Sequence, residues 1–387
     1  METLFWISLA LILYTFGGYG IVLFVLAGVK RLFRRGDKSK EALMPSLSVI
    51  VPAYNETSCI EEKIHNTLAL AYPPELLRII FVTDGSDDGT PGIVSRYPSI
   101  QLLHEEGRGG KITALERAMA AVKTEIVVFT DANTCLNKEA LLLIAGRYAN
   151  PSVGAVAGEK RIDIADVKDA TAGEGFYWRF ESFLKQMESD LYSVAGAAGE
   201  LFSIRTHLYR SLPPDTILDD LLLSLDVSLK GFRVVYEPRA FATEKGSLSL
   251  EEESKRKIRI AAGGIQTIVR RPSLLLPFPK PILWFEYMSH RVFRWIIAPY
   301  LLPLLFIING LLIYRERAGV FITAVFILQC FFYLFALAGY FVRSKPLTAR
   351  FLFVPCYFCM MNINVINGLF RYLFSIQPVA WDKAKRR

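Results

Sequence analysis

Apolar residues run almost unbroken from Leu4 to Val29, and no charge interrupts them before Lys30. A bilayer core takes roughly 20 such residues as a helix, so residues 1–30 predict a transmembrane anchor. A cleavable signal would carry its positive charge ahead of the apolar run and a small-residue site behind it. Here Glu2 stands in front, and the basic stretch "KRLFRRGDKSK", Lys30 to Lys40, stands behind. The positive-inside rule then sets the N-terminus outside and the following residues in the cytosol.

From about Ser46 to Arg270 the pattern changes. Short β-branched runs ("LSVIVPA", "LLRIIFVTD", "TEIVVFTDA", "VGAVAGEKR") alternate with helical stretches such as "IEEKIHNTLALA" and "KITALERAMAAVK". Strands alternating with helices predict an α/β domain over residues 45–271 with a mostly parallel sheet. Ligands of such sheets bind beyond the carboxyl ends of the strands. The polar residues that close these runs are therefore the first candidates for chemistry.

Beyond Pro272 the chain turns apolar again. Aromatics mixed with His290, Arg291 and Arg294 predict a helix in the membrane interface over 272–294. Spans follow within 295–375: Trp295 to Tyr314, Val320 to Val342, and Phe351 to Phe374, the last interrupted by Asn362, Asn364 and Asn367. Three crossings there would put the basic tail, residues 376–387, outside, against the positive-inside rule. Either the last segment stops short of crossing or a further crossing lies near Pro281 to Pro299.

Composition fits this division. Hydrophobic residues make up 52% and aromatics 13%, and mean hydropathy is +0.31. The net charge of +8 is the footprint expected of a nucleic-acid binder. Its lysines and arginines bunch beside apolar segments, however, which points to a flank drawn to anionic lipid and to no nucleic-acid partner. Cys59, Cys135, Cys330, Cys356 and Cys359 lack the dense, even spacing of a disulfide framework. Cys356 and Cys359 form a C-x-x-C without the second ligand pair that zinc needs.

Three strands end on acidic or polar clusters: "VPAYNE" (Val51 to Glu56), "VTDGSDDGT" (Val82 to Thr90) and "FTDANT" (Phe129 to Thr134). A nucleotide-sugar needs acceptors for its base and ribose, a divalent cation on its diphosphate, and neutralisation of the departing phosphate. Asp84 suits the first task; Asp131 and Asn133 suit the second. Asp87-Asp88-Gly89 reads equally as an ordinary turn. Further on, Asp219 and Asp220 open a helix that Gly231 closes. Carboxylates at a helix start suit the backbone dipole. One beside a crevice is also placed to act as a general base.

Together "SVIVPAYNE", "VTDGSDDGT", "GRGGKITAL", "FTDAN", "ILDD" and the C-terminal apolar segments resemble the inverting glycosyltransferases of family two. That group includes cellulose, chitin, hyaluronan and poly-N-acetylglucosamine synthases and the dolichyl-phosphate sugar transferases. The resemblance implies a GT-A fold, a UDP-sugar donor and Mg or Mn. It also implies a glycan or glycolipid acceptor, a role in polysaccharide synthesis, and a multi-pass protein of the inner cell membrane. By the same resemblance Asp84 would contact the uridine, with Pro52, Tyr54 and Glu56 lining the nucleotide pocket and Lys111 approaching the nucleotide. Asp131 and Asn133 occupy the metal-binding D-x-D place. Asp220 matches the base that ends the T-E-D motif, with Asp219 where glutamate usually stands. "RKIRI" falls where processive synthases carry Q-x-x-R-W, so Arg256 stands in the glutamine's place and Arg259 would bind the diphosphate.

Two departures qualify this. Asn133 removes one negative charge from the cation site, which predicts weaker metal binding. Ile260 replaces the tryptophan that stacks on the acceptor in processive enzymes, so polymerisation follows less directly than sugar transfer. Two rival functions share the pattern: a single-sugar transferase to a polyprenyl phosphate, and an inactive sugar-nucleotide scaffold of an export complex.

Overall fold

The computed structural model describes residues 1–33, 44–162, 171–246, 249–342 and 350–374. The stretch 34–40 of the basic flank and the tail 376–387 lie outside these residues. The chain divides into two units: 27–166 with 178–246, built on a sheet, and 1–26 with 247–375, built on long helices.

In the sheet unit eight strands run β1 (Leu47–Ala53), β2 (Leu77–Asp84), β3 (Gln101–Glu105), β4 (Ile126–Phe129), β5 (Thr134–Leu136), β6 (Val153–Ile162), β7 (Phe202–Arg205) and β8 (Arg233–Glu244). They lie in the order β3-β2-β1-β4-β7-β6-β8-β5. Pairing is parallel from β3 to β4 and again between β6 and β8, whereas β7 runs against both its neighbours and β5 against β8. The sheet is therefore mixed, with its first half parallel as the strand–helix alternation implies.

Strand alternation sends successive side chains to opposite faces, and both faces are covered. Val49 and Val51 of β1 and Phe81 of β2 join one core. The helices Ile60–Leu68 (α2, after the N-terminal helix α1) and Ala140–Arg147 (α5) pack on it through Ile60, Ile64, Leu141 and Ile144. Ile50, Ile80 and Val82 point to the other core, under Lys111–Ala121 (α4) and Asp219–Leu229 (α7). Between these come the short Thr90–Val94 (α3) and the long Thr171–Leu191 (α6). Carboxyl ends of β1, β2 and β4 thus open between two helical layers.

In the other unit, four helices among the described residues are long and apolar enough to cross a membrane: Glu2–Phe33 (α1), Pro281–Tyr314 (α9), Val320–Val342 (α10), and Leu352–Phe374 within Arg350–Phe374 (α11). Within the 272–294 region expected as an interfacial helix leading into a span, residues 281–294 are continuous with the span that follows; Pro299 and Pro303 lie within it without ending it. Phe5 and Ile12 share a core with Leu305, Ile308 and Leu312, and with Met1 beside Arg315 and Tyr14 bonded to Ser289 α1 and α9 run antiparallel. Leu250–Arg270 (α8), amphipathic and capped by Ser249 accepting from the Glu252 amide, belongs to this unit. Gly264 of α8 meets the Trp295 ring so closely that an added Cβ would lie 2.5 Å from it.

Candidate active site

The residues singled out in the sheet unit stand at strand ends and helix starts. Asp84 closes β2 and is only 5% exposed. Its Oδ2 accepts from the Gly110 amide at 2.6 Å, and its Oδ1 lies 3.4 Å from the Arg117 guanidinium. Gly110, at φ +91°, immediately precedes α4, a backbone conformation that glycine adopts without a Cβ clash. Asp84 therefore ties the end of β2 to the start of the helix that carries Lys111.

Lys111, first residue of α4, reaches two carboxylates from different parts of the chain. Its Nζ lies 3.4 Å from Asp131 Oδ1 and 3.3 Å from Asp219 Oδ2. Asp131 follows β4, and Asn133, half-buried, sits two residues on in the same turn. Asp219 and Asp220 form the first turn of α7. A Cβ built on Gly199 would stand 3.3 Å from Asp220 Oδ2 and 3.8 Å from Lys111 Nζ, so a side chain there would crowd the carboxylate. Four sequence-derived candidates, Lys111, Asp131, Asp219 and Asp220, thus converge.

Burial raises the Asp220 carboxyl to about 7, and the neighbouring Asp219 adds to the rise; Lys111 and the Leu221 amide oppose it. A carboxyl poised there is suited to exchange a proton near neutral pH.

The loop after β1 packs against the loop after β2. Asn55, at φ +53°, donates through Nδ2 to Asp87 at 2.8 Å and accepts from the Asp87 amide at 3.0 Å. Asp88 accepts from the amide and hydroxyl of both Thr57 and Thr90; burial pushes its carboxyl up, and these bonds together outweigh that and hold it down at about 2. Asp87 and Asp88 bind loop to loop, so the turn reading of this cluster is the one the geometry carries. Pro52, near the end of β1, and Tyr54 and Glu56, along the loop that follows, are half-buried. The Arg108 guanidinium stacks 3.7 Å over the Tyr54 ring. Arg108 was not legible beforehand; its only signal was its place in "GRGGK".

Lys63 was missed as well. It is 1% exposed, beneath the turn that carries Asp131. Burial draws its ammonium down to about 7, while Cys135, Asp131 and Cys59 act in the other direction. Its signal was in the sequence: Lys63 shares the buried stripe of Ile60, Ile64 and Thr67 on α2, where a charge is unexpected.

Arg256 and Arg259 belong to the helical unit, on α8. Arg256 lies 3.8 Å from Glu253, which also pairs with Lys257 at 3.4 Å.

The cation fit rests on donor chemistry. Among the described residues no cluster of three or more His, Cys, Asp and Glu forms a complete protein cage. Mg-type sites commonly use one or two carboxylates and leave the remaining positions to water and substrate phosphates. Asp131 with the Asn133 carbonyl oxygen supplies hard oxygen donors of that kind. The Lys111 ammonium, held between Asp131 and Asp219, marks a point where the surroundings favour positive charge.

The chain was compared with known proteins. Residues 48–212 match the model "Glycosyl transferase family 2". A poly-beta-1,6-N-acetyl-D-glucosamine synthase of Staphylococcus aureus is 27% identical over 273 residues, 67% of this chain and 65% of that protein. The Staphylococcus epidermidis synthase is 26% identical over 278 residues, 68% and 66% of the two chains. The match with these relatives thus spans about two thirds of their length. A mannosyltransferase from Pyrobaculum calidifontis, solved with GDP-Man and Mn2+, superposes with a TM-score of 0.71 at 25% identity, over 96% of this chain and 99% of that one. Residues 48–212 thus carry the match to glycosyl transferase family 2, on a fold of the GT-A kind, and the same chain has helices of membrane-spanning length.

Proposed function

We propose that this chain is a membrane-bound inverting glycosyltransferase that moves a sugar from a UDP-sugar to a hydroxyl of a glycan or glycolipid, in polysaccharide synthesis. In this reading it is a multi-pass protein of the inner cell membrane, and its sheet unit works on the cytosolic side. One observation carries the proposal: Asp220, its carboxyl lifted by burial and by Asp219, stands among Lys111, Asp131 and Asp219 at the open end of the sheet.

Asp220 accepts the proton of the acceptor hydroxyl as that oxygen attacks the anomeric carbon. The new C–O bond forms on the face opposite the breaking bond to phosphate, and the diphosphate departs with that bond's electron pair. A divalent cation, Mg or Mn, bound at Asp131 and Asn133, would neutralise charge on the leaving group. Lys111 exchanges its carboxylate partners for phosphate oxygens; for Arg259 and Arg256, on α8, the diphosphate role is the one that the motif resemblance implies. Asp219 keeps Lys111 in range. Asp84 serves the nucleoside end as an acceptor ordered by Gly110, and Pro52, Tyr54 and Glu56 line that end.

The test is nucleotide release by the full-length protein in membranes, with a panel of UDP-sugars and GDP-mannose, with and without metal. Turnover of at least one UDP-sugar is expected, and Asp220→Asn should abolish it while leaving donor binding largely intact. Near wild-type turnover in Asp220→Asn refutes the base assignment. No turnover of any donor favours the scaffold. Ile260, in the place of the acceptor-stacking tryptophan, favours a second reading: transfer of one sugar to a polyprenyl phosphate or glycolipid. A single lipid product in place of a ladder of lengths would select it.

A further inference from the structure

Lys63 has no part in the chemistry above, yet α2 sends it under the Asp131 turn. Its Nζ donates to Thr130 Oγ1 at 2.8 Å, to the Thr134 carbonyl at 2.9 Å and to Thr134 Oγ1 at 3.3 Å. Those are three acceptors for the three N–H bonds of one ammonium. The two threonines bracket the turn. Thr134 Oγ1 donates onward to the Asp131 carbonyl at 2.9 Å, and Thr130 Oγ1 donates to the Glu200 carbonyl at 3.0 Å, one residue beyond Gly199. A lysine at 1% exposure is costly to bury, and a methionine or leucine would fill the same space. What the ammonium adds is a three-way tie. It fixes both ends of the segment carrying Asp131 and Asn133, and through Thr130 it reaches the strand-side loop that faces Asp220.

We propose that Lys63 is a positioning residue that holds Asp131 and Asn133 in the arrangement that binds the divalent cation. The inference rests on the metal assignment made under Proposed function. Supporting partners of metal ligands commonly set affinity within a factor of about 10–100.

The test is direct Mn2+ binding by the full-length, detergent-solubilised protein with UDP, read from the loss of the free-Mn2+ electron paramagnetic resonance signal. Lys63→Met is expected to weaken Mn2+ binding about tenfold while UDP binding without metal stays unchanged. Thr134→Val, which keeps the ammonium but removes one of its acceptors together with the hydroxyl's own bond to the Asp131 carbonyl, is expected to weaken it too. It also serves as the variant of record if Lys63→Met does not fold. Asn66→Ala is the control. It removes the contacts of α2 with the Leu136 backbone and so loosens the same interface without touching the turn; its Mn2+ binding should match the wild type. Unchanged or tighter Mn2+ binding in Lys63→Met, or in Thr134→Val where that is the variant measured, overturns the proposal. Equal weakening in Asn66→Ala overturns it too. A wild type that binds no Mn2+ with UDP refutes the metal assignment itself, a separate result.

Discussion

A carboxylate in the first turn of a helix is normally stabilised in its charged form by the backbone dipole. Asp220 goes the other way because desolvation and the adjacent Asp219 penalise the anion more than Lys111 and the Leu221 amide favour it. The sign fixes the pH dependence. A base must be ionised to accept a proton, so with its pKa near 7 the rate constant kcat/KM should fall tenfold per pH unit on the acid side of that value. Asp219→Asn removes the like charge and should shift this limb to lower pH; a pH–rate profile with its limb in the ordinary carboxylate range, or unmoved in Asp219→Asn, would contradict the account. Asp131, Asp219 and Asp220 were readable because strand ends and helix starts are places where acidic residues need a reason. Arg108 and Gly199 were not readable, since their roles come from contacts across 54 residues and across the gap to α7. Side-chain reach of that kind leaves no periodic trace.

At the level of elements, runs of β-branched residues located β1, β2, β4 and β6 to within three residues at either end. The direction of β7 was hidden, because a strand buried on both faces has the same composition whether it runs with or against its neighbours. That strand joins the parallel half to the β6–β8 pair, and the Gly199 loop and α7 come together beside Lys111. The loops after β1 and β2 form a joint element, and Asp88 is its pin. Asp88→Ala removes four hydrogen bonds from Thr57 and Thr90. A single hydrogen bond to a charged group contributes about 1.5–3 kcal/mol, and neighbouring bonds to one carboxylate are not additive, so a stability loss of about 2 kcal/mol is expected by thermal or denaturant unfolding. The donor KM should rise more than kcat falls, since the loops carry Tyr54 and Glu56 and none of the proton transfer.

For the whole molecule, run length alone revealed the membrane-length helices, and the open matter was whether α11 crosses. The packing within the helical unit bears on it directly. Gly339, near the end of α10, lies against the Leu352 carbonyl and Cys356 at the start of α11. Farther on, Asn364 accepts from the Ser254 hydroxyl at 2.7 Å, and Gly368 sits on Ala261 and Ile258. The second half of α11 therefore runs along α8, whose residues 251–260 include Glu251, Glu252, Glu253, Lys255, Arg256, Lys257 and Arg259. Each such charge costs about 2.5–3.5 kcal/mol at the centre of a bilayer, which predicts that α8, and α11 with it, lies at the membrane face. Gly264 on Trp295 sets that face at the start of the apolar part of α9. An amphipathic helix looks the same in sequence at a protein surface and at a membrane surface, which is why α8 was counted with residues 45–271. With α1, α9 and α10 as the crossings, the expectation from the positive-inside rule would be met. Green fluorescent protein fused after Arg387 should fluoresce, and alkaline phosphatase at that point should be inactive. Phosphatase inserted between Glu316 and Arg317, in the α9–α10 turn, should be active. An active phosphatase after Arg387 would mean that α11 crosses, and that its contacts with α8 lie within the bilayer.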